Sequence, residues 1–207
     1  MNSAARIVKK PVVPLPPGVP GFAVRRFTVD EYHALAEIGI LKPHDHYELI
    51  DGWIIHTMTV NPPHAYALTA LADLLKSLLP ADWMLRTQLP VTFKTSEPEP
   101  DVVVVPGPKS RYKTAHPTPS AVELLVEIAD SSLAEDRGIR LRVYAKAKIA
   151  VYWIVNINER CVEVYTQPRG GKNPGYKQQT NYGPDDAVPV VVGGKPVGTI
   201  AVKELLP

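Results

Sequence analysis

The chain has 207 residues, 45% of them hydrophobic and 21% charged, and a net charge of +2 at pH 7. The length fits one domain with tails, and the small net charge does not by itself indicate a nucleic-acid binder. A single cysteine, Cys161, excludes an internal disulfide and favours a reducing compartment, and no apolar stretch approaches the roughly 20 residues of a membrane span. Because Arg6, Lys9 and Lys10 lead straight into prolines, we expect no signal peptide and a soluble, cytoplasmic protein without a membrane partner.

The first segment of the chain is rich in proline. Residues 1–22 contain five prolines and no periodic apolar pattern, which predicts an extended arm. Thr28 and Glu31 have the spacing of a capping box, so a short helix is expected from there to about Glu37. The predicted organisation is an arm, a core domain and a C-terminal extension of strands and loops, at residues 1–22, 23–167 and 168–207.

Hydrophobic periodicity predicts the remaining elements. Asn61 and Pro62 suit the cap and first turn of a long helix, whose leucines recur at helical spacing. Ser132 and Glu135 have the spacing of a second capping box, which predicts another helix to about Lys148. The order of elements is that of an α/β protein with a mixed central sheet flanked by helices. Strands are predicted at residues 47–50, 53–58, 83–88, 90–94, 101–105, 122–128, 151–156 and 161–166.

Two of these strands carry a carboxylate at one edge of the apolar run. Asp101 opens the run VVVV, and Glu127 lies near the end of VELLVEIA. An unpaired buried carboxylate is unfavourable by several kcal/mol, so each of these groups needs a partner. Two carboxylates on neighbouring strands favour a hard, oxygen-seeking cation such as Mg²⁺. The pair therefore predicts metal-dependent phosphodiester chemistry.

Six motifs follow one another between about residues 25 and 167: YELIDG, PPHAYAL, SEPEPDVVVV, VEI, DRGIRLRVYAKAKI and VYWIVN. Together they resemble the PD-(D/E)XK nuclease superfamily and, more narrowly, the Uma-two family of restriction-endonuclease-like proteins of bacteria. The resemblance implies a restriction-endonuclease-like core, hydrolysis of DNA with Mg²⁺ or Mn²⁺, and a homodimer. The predicted hairpin at residues 151–166, if it forms a sheet edge, offers a surface for that dimer.

The resemblance also implies roles for single residues. Asp101 and Glu127 are expected to hold the metal, with Glu48 as a third ligand. The lysine of the superfamily motif falls on Ala129 and, on the following helix, on Arg140. Arginine stays protonated and cannot act as a general base, although it can bind phosphate. The expected catalytic set is therefore Asp101, Glu127 and Arg140, and the alternatives are a catalytically impaired nuclease fold that binds nucleic acid, or an interaction module.

Several other side chains carry both a functional and a plain structural interpretation. Asp136 and Arg140 have the spacing of an ordinary helical salt bridge, Glu127 and Arg140 suit a buried ion pair, and Tyr144 suits the core. The strongly basic helix can track a phosphate backbone or simply face solvent. The predicted accessory residues are His64, Gln88, Glu99 and Lys146, and the predicted nucleic-acid contacts are Arg137 and Arg142.

Overall fold

The computed structural model describes residues 25–42, 45–57 and 61–207; the predicted arm at 1–22 and Met58 lie outside the described residues. Within these ranges the centre is a sheet of six strands: β3 (Trp83–Thr87), β4 (Val102–Pro106), β5 (Leu124–Ala129), β6 (Val151–Asn156), β7 (Cys161–Arg169) and β8 (Gly175–Tyr182). Their order in the sheet is β3-β4-β5-β6-β7-β8, and β5 and β6 form the one parallel pair. The predicted α/β fold with a mixed central sheet is confirmed.

One face of the sheet is covered by a long helix and a C-terminal hairpin. Helix α2 (Pro62–Leu78) begins as predicted, since the Asn61 side chain accepts a hydrogen bond from the His64 backbone. Its buried side chains pack with those of β9 (Ala187–Val192) and β10 (Lys195–Ala201) against the sheet. This face is a continuous apolar core, so α2 is held rigidly with its first turn at one end of the sheet.

The opposite face is covered by an N-terminal hairpin and the second helical region. Helix α1 (Val29–Glu37) has the predicted capping box on Thr28, and the predicted hairpin forms β1 (Tyr47–Ile50) and β2 (Trp53–His56). The turn needs Gly52, because its φ is +83° and an added Cβ would lie 2.6 Å from the Cβ of Arg26. The hairpin therefore carries Glu48 to the same end of the sheet as the first turn of α2.

The predicted strand at residues 90–94 is wrong. These residues, all described, form a loop in which the Val91 amide donates to the Pro98 carbonyl and the Phe93 amide to the Ser96 carbonyl. Prolines at 90, 98 and 100 remove backbone donors that a ladder would need, which explains why the apolar alternation does not become a strand.

The predicted capping box on Ser132 is also wrong. Its hydroxyl donates to the Asp136 carboxylate at 2.6 Å, and no side-chain cap is formed within the described helix. The region is α3 (Leu133–Glu135), a π-helical turn (Asp136–Arg140) and α4 (Leu141–Lys146), rather than one continuous α-helix. A π-turn widens the helix locally, and such turns are frequent at functional sites.

The hairpin of β6 and β7 is not at a sheet edge. β8 pairs with β7, so β3 and β8 are the edges of the sheet formed by the described residues. The dimerisation surface expected from this hairpin is therefore covered, and a homodimer stays a prediction. The division into residues 23–167 and 168–207 also stays a prediction. None of the helices in the described part of the chain has the length and apolar character needed to cross a membrane.

Candidate functional site

A cleft of about 610 Å³ opens at the end of the sheet where β4 begins and β5 ends. Val102 on β4 pairs with Val126 on β5, so the antiparallel register places Asp101 beside Glu127. The first turn of α2 forms one wall, and the β1–β2 hairpin and the π-turn form the others. The two carboxylates singled out by the sequence therefore lie side by side in a concave site.

Asp101 and Glu127 are fixed by reciprocal contacts between their strands. The Ile128 amide donates to Asp101 Oδ2 at 2.8 Å, and the Asp101 amide lies 3.3 Å from Glu127 Oε2. Both residues are buried. Backbone donors on a rigid sheet restrict the orientation of each carboxylate more strongly than contacts from a mobile loop would.

The guanidinium of Arg140 lies among three carboxylates. Nη2 is 2.8 Å from Glu48 Oε2, Nη1 is 3.3 Å from Glu127 Oε1, and Nε is 3.5 Å from Asp136 Oδ1. Within the described residues Glu48 Oε2 has no aligned hydrogen-bond donor, so its contact with Arg140 is an ion pair without hydrogen-bond geometry. Burial opposes the charge of Arg140, but the surrounding carboxylates outweigh this effect and raise its pKa well above the usual value.

The acidic groups are not fully compensated by this one arginine. Burial raises the pKa of Glu127 well above its usual value, the charges of Asp101, Asp136 and Glu48 add to the effect, and Arg140 opposes it. Burial likewise raises the pKa of Asp136 to about 6, against the hydrogen bond from Ser132 and the charge of Arg140. The site therefore holds more negative charge than its own cation can balance.

Tyr144 and His64 support the two central carboxylates. The Tyr144 hydroxyl, fully buried, donates to Glu127 Oε1. His64 Nε2 lies 3.0 Å from Asp101 Oδ2, and the Nδ1 atom is buried with no hydrogen-bond partner among the residues described. Burial lowers the pKa of His64, but the hydrogen bond and charge of Asp101, with more distant aspartates, outweigh burial and raise it.

The remaining predicted site residues fall into two groups. Gln88 and Glu99 line the cleft, and Gln88 Nε2 lies 3.4 Å from Asp101 Oδ1. Lys146 lies elsewhere: its Nζ is 2.9 Å from Asp51 Oδ1, on the rim of a separate cavity of about 430 Å³. Its position gives no support to the idea that it replaces the missing lysine.

The two predicted nucleic-acid contacts also differ. Arg137 forms hydrogen-bonded ion pairs with Glu163 and Glu159 and does not line the cleft. Arg142 is exposed and forms no ion pair with any residue of the described ranges. Of the two, Arg142 alone retains a guanidinium available to a phosphate.

Carboxylates dominate the lining of the cleft. Among the described residues that line it, seven carboxylates face a single arginine, Arg140. The carboxylates outnumber the cations of the lining, so an approaching polyanion would be repelled unless cations bind first. The carboxylates are Glu48, Glu99, Asp101, Glu127, Asp130, Glu135 and Asp136.

The residues present fit a hard divalent cation only in part. Mg²⁺ is often held by one or two carboxylates and several waters, which Asp101 and Glu127 can provide. The predicted third ligand, Glu48, is held by Arg140 instead. In the described ranges, the one set of three potential ligand atoms within 4.8 Å of one another is not in the cleft but at Glu159, Cys161 and Glu163.

Sequence reasoning missed the importance of Asp136 and Tyr144. Asp136 is 1% exposed and touches the cleft cation, although its spacing from Arg140 suits an ordinary surface salt bridge. Tyr144 is in the core as expected, but its hydroxyl also holds Glu127. The one available signal was Ser132, four residues before Asp136, because the Ser132 hydroxyl donates a hydrogen bond to the Asp136 carboxylate.

Comparisons with known proteins agree with the fold. The model of the Uma2 family, described as "Putative restriction endonuclease", matches residues 29–193. The fold is similar to a crystal structure described as a "putative nuclease belonging to DUF820" from Anabaena variabilis ATCC 29413, with a TM-score of 0.61 and 18% identity over 86% of this chain and 97% of that one. No protein of curated function matches the sequence.

Proposed function

From the premise that this chain belongs to the Uma2 family of restriction-endonuclease-like proteins, we propose that it hydrolyses phosphodiester bonds of DNA with Mg²⁺ or Mn²⁺ as cofactor. The observation that supports this proposal is the excess of buried carboxylate around Asp101 and Glu127. Gathering these charges around one arginine opposes folding, so the arrangement is better explained by a cation that joins them.

Asp101 and Glu127 are the residues that would hold the metal. When bound, a divalent ion lowers the pKa of a coordinated water and neutralises charge on the scissile phosphate. The amide of Ile128 keeps one Asp101 oxygen in place, and His64 contacts the same oxygen. The Tyr144 hydroxyl holds Glu127 from the opposite side. These contacts orient both carboxylates before substrate arrives.

Arg140 occupies the position where the resemblance expects lysine. Because its pKa is raised, it carries a full charge and binds phosphate rather than accepting a proton. Within the described ranges no lysine lines the cleft, so the proton of the attacking water passes to solvent or to a cleft carboxylate. We therefore expect slower cleavage than a site with a lysine base would give.

A second candidate is a nuclease-fold protein that binds nucleic acid without cutting it. The observation that favours it is the contact of Arg140 with Glu48, Glu127 and Asp136. In this candidate the Arg140 guanidinium partly replaces a metal ion as the partner of the cleft carboxylates. A purely structural ion network is the limiting form of this candidate.

The test is cleavage of supercoiled plasmid, single-stranded DNA and RNA with Mn²⁺ and with Mg²⁺. Asp101→Ala and Glu127→Ala should each abolish cutting, and Arg140→Lys should increase it. The matched control is Asp73→Ala, which removes an exposed aspartate of α2 and should cut like wild type. Cutting that survives both cleft substitutions would contradict the proposal. Cutting by Arg140→Lys alone would establish the second candidate.

A further inference from the structure

A second arginine is buried outside the cleft. Arg86 lies on β3 and is 8% exposed. Its guanidinium lies over the ring of Tyr112, 5.4 Å from the ring centroid. Burial lowers the pKa of Arg86, and the nearby Tyr112 offsets only part of this effect. The protein therefore carries a desolvated positive charge at this position.

Arg86 has little compensation from the protein. Within the described residues no carboxylate lies at ion-pair distance, and its Nε is buried without a hydrogen-bond partner. Nη2 has only two long contacts of 3.4 Å, to the Pro90 carbonyl and to His116 Nδ1. Glu97, whose charge like that of Arg86 acts on the pKa of His116, is held by His33 and Thr92, each at 2.6 Å. A buried guanidinium without an anion is unfavourable, and a cation–π contact offsets only a part of that.

The loop next to Arg86 is basic throughout. The segment at residues 107–118, here called the basic loop, contains no acidic residue. Its cations are exposed and form no ion pair in the described part of the molecule. Tyr112 anchors this loop, because its hydroxyl donates to the Pro106 carbonyl at 2.9 Å while its ring supports Arg86. The cationic side chains of the loop are Lys109, Arg111 and Lys113.

The sheet register relates Arg86 to the cleft. Arg86 pairs with Val103 on β4, which pairs with Leu125 on β5, and Glu127 lies two residues further on the same face. With strands about 4.8 Å apart and residues about 3.4 Å apart along a strand, the Cα atoms of Arg86 and Glu127 are roughly 12 Å apart. Along the axis of duplex DNA each strand advances about 3.4 Å per nucleotide, so three or four nucleotides of one strand cover this distance.

We propose that Arg86 and the basic loop form a phosphate-binding subsite for the nucleic-acid backbone beside the cleft. The inference rests on the proposed function and adds the source of attraction that an acidic cleft lacks. A backbone phosphate supplies the anion that Arg86 does not find in the protein, and the exposed cations of the loop hold the neighbouring phosphates. The nucleotide whose phosphate binds Arg86 then determines which phosphodiester bond of the same strand reaches Asp101 and Glu127.

The experiment measures binding of a fluorescently labelled single-stranded DNA oligonucleotide by anisotropy, with Ca²⁺ in place of Mg²⁺ to suppress cleavage. Arg86→Met should weaken binding about tenfold, the effect of one lost charge-assisted contact. The triple variant Lys109→Gln, Arg111→Gln, Lys113→Gln changes only exposed side chains, so it tests the subsite even if Arg86→Met fails to fold. It should reduce the slope of log Kd against log salt by about 2.

Arg169→Met is the matched control, because Arg169 is an exposed arginine on β7 outside the basic loop; it should bind like wild type. The shift in melting temperature with inorganic phosphate gives the affinity of the site for free phosphate. A site for the nucleic-acid backbone should bind the oligonucleotide far more tightly than inorganic phosphate. If neither the triple loop variant nor Arg86→Met altered oligonucleotide binding, the subsite alone would be overturned. Wild-type protein that fails to bind the oligonucleotide at low salt would overturn the subsite and the proposed function together.

Discussion

The cleft and the β6–β7 hairpin each have acidic side chains paired with an arginine of the π-turn, Arg140 and Arg137 respectively, but their charges are balanced differently. On the hairpin, Glu163 accepts hydrogen bonds from Arg137, Asn156 and Tyr165. Burial alone would raise the pKa of Glu163, but these donors lower it. In the cleft, the pKa of Glu127 is raised despite Arg140.

The difference bears on our proposal that a metal binds in the cleft, where the ligand atoms lie less close together than on the hairpin. The hairpin brings Glu159, Cys161 and Glu163 within 4.8 Å, yet its buried carboxylate already has its donors. The cleft lacks three ligand atoms so close together among the described residues, yet its carboxylates exceed its cations. Unbalanced buried charge, more than ligand spacing, points to where an added cation would bind.

The strongest way to sharpen the contrast is to remove each arginine. Arg140→Met leaves three carboxylates around an apolar side chain, and should reduce the free energy of unfolding by about 3–5 kcal/mol. Added Mn²⁺ should restore part of this loss, because the cation takes over the role of the guanidinium. Arg137→Met should also destabilise the protein, but without recovery by Mn²⁺. Urea unfolding with and without Mn²⁺ measures the stability of both variants. If Mn²⁺ restored the same stability to Arg140→Met and to Arg137→Met, the cleft and the hairpin would not differ in their need for a cation.

Asp136 gives the cleft a pH dependence opposite in sign to that of Glu163 on the hairpin. Its pKa is raised to about 6, so between about pH 4 and 6 the folded chain keeps a proton that the unfolded chain has lost. Stability should therefore fall as pH rises through this window, by no more than about 3 kcal/mol for this group. Asp136→Asn should remove this part of the fall, as measured by urea unfolding across the window. The control Asp73→Asn should show the same dependence of stability on pH as wild type. The same dependence in Asp136→Asn would refute the role of Asp136.

Substitution by glutamine should reduce the free energy of unfolding by about 2 kcal/mol more at Glu163 than at Glu127. Glu163→Gln takes the charge from a carboxylate that accepts from Arg137 and Tyr165, so it should destabilise the protein by roughly that amount. Glu127→Gln removes a poorly compensated buried charge and should be neutral or slightly stabilising at neutral pH. Thermal or urea unfolding of both variants is sufficient, and a loss of stability at Glu127 as large as at Glu163 would contradict the imbalance.

Much of the site could be predicted because it depends on local sequence. Asp101 and Glu127 flank short apolar runs, and runs of that kind become neighbouring central strands. Asn61 and Pro62 specify the start of α2, and with it the position of His64. The fold class follows from the same periodicities.

The rest depends on contacts that no local pattern specifies. The ion pair of Glu48 with Arg140 joins residues far apart in sequence, so it exists only after the hairpin packs against the π-turn. The π-turn itself arises where Ser132 bonds the Asp136 side chain instead of capping the helix. The ion pair of Arg137 with Glu163 is likewise a tertiary contact. Residues 90–94 fail as a strand because of Pro90 at the start of the run and of prolines beyond it.

The most direct measurement is calorimetric titration of Mn²⁺ into wild type, Glu127→Gln and Glu163→Gln. We expect wild type and Glu163→Gln to bind Mn²⁺, and Glu127→Gln to bind it at least about tenfold more weakly, as expected for loss of a ligand in the cleft. The opposite pattern, with binding lost in Glu163→Gln and kept in Glu127→Gln, would place the metal at the hairpin. Absence of binding to wild type would contradict a metal-dependent site in the cleft.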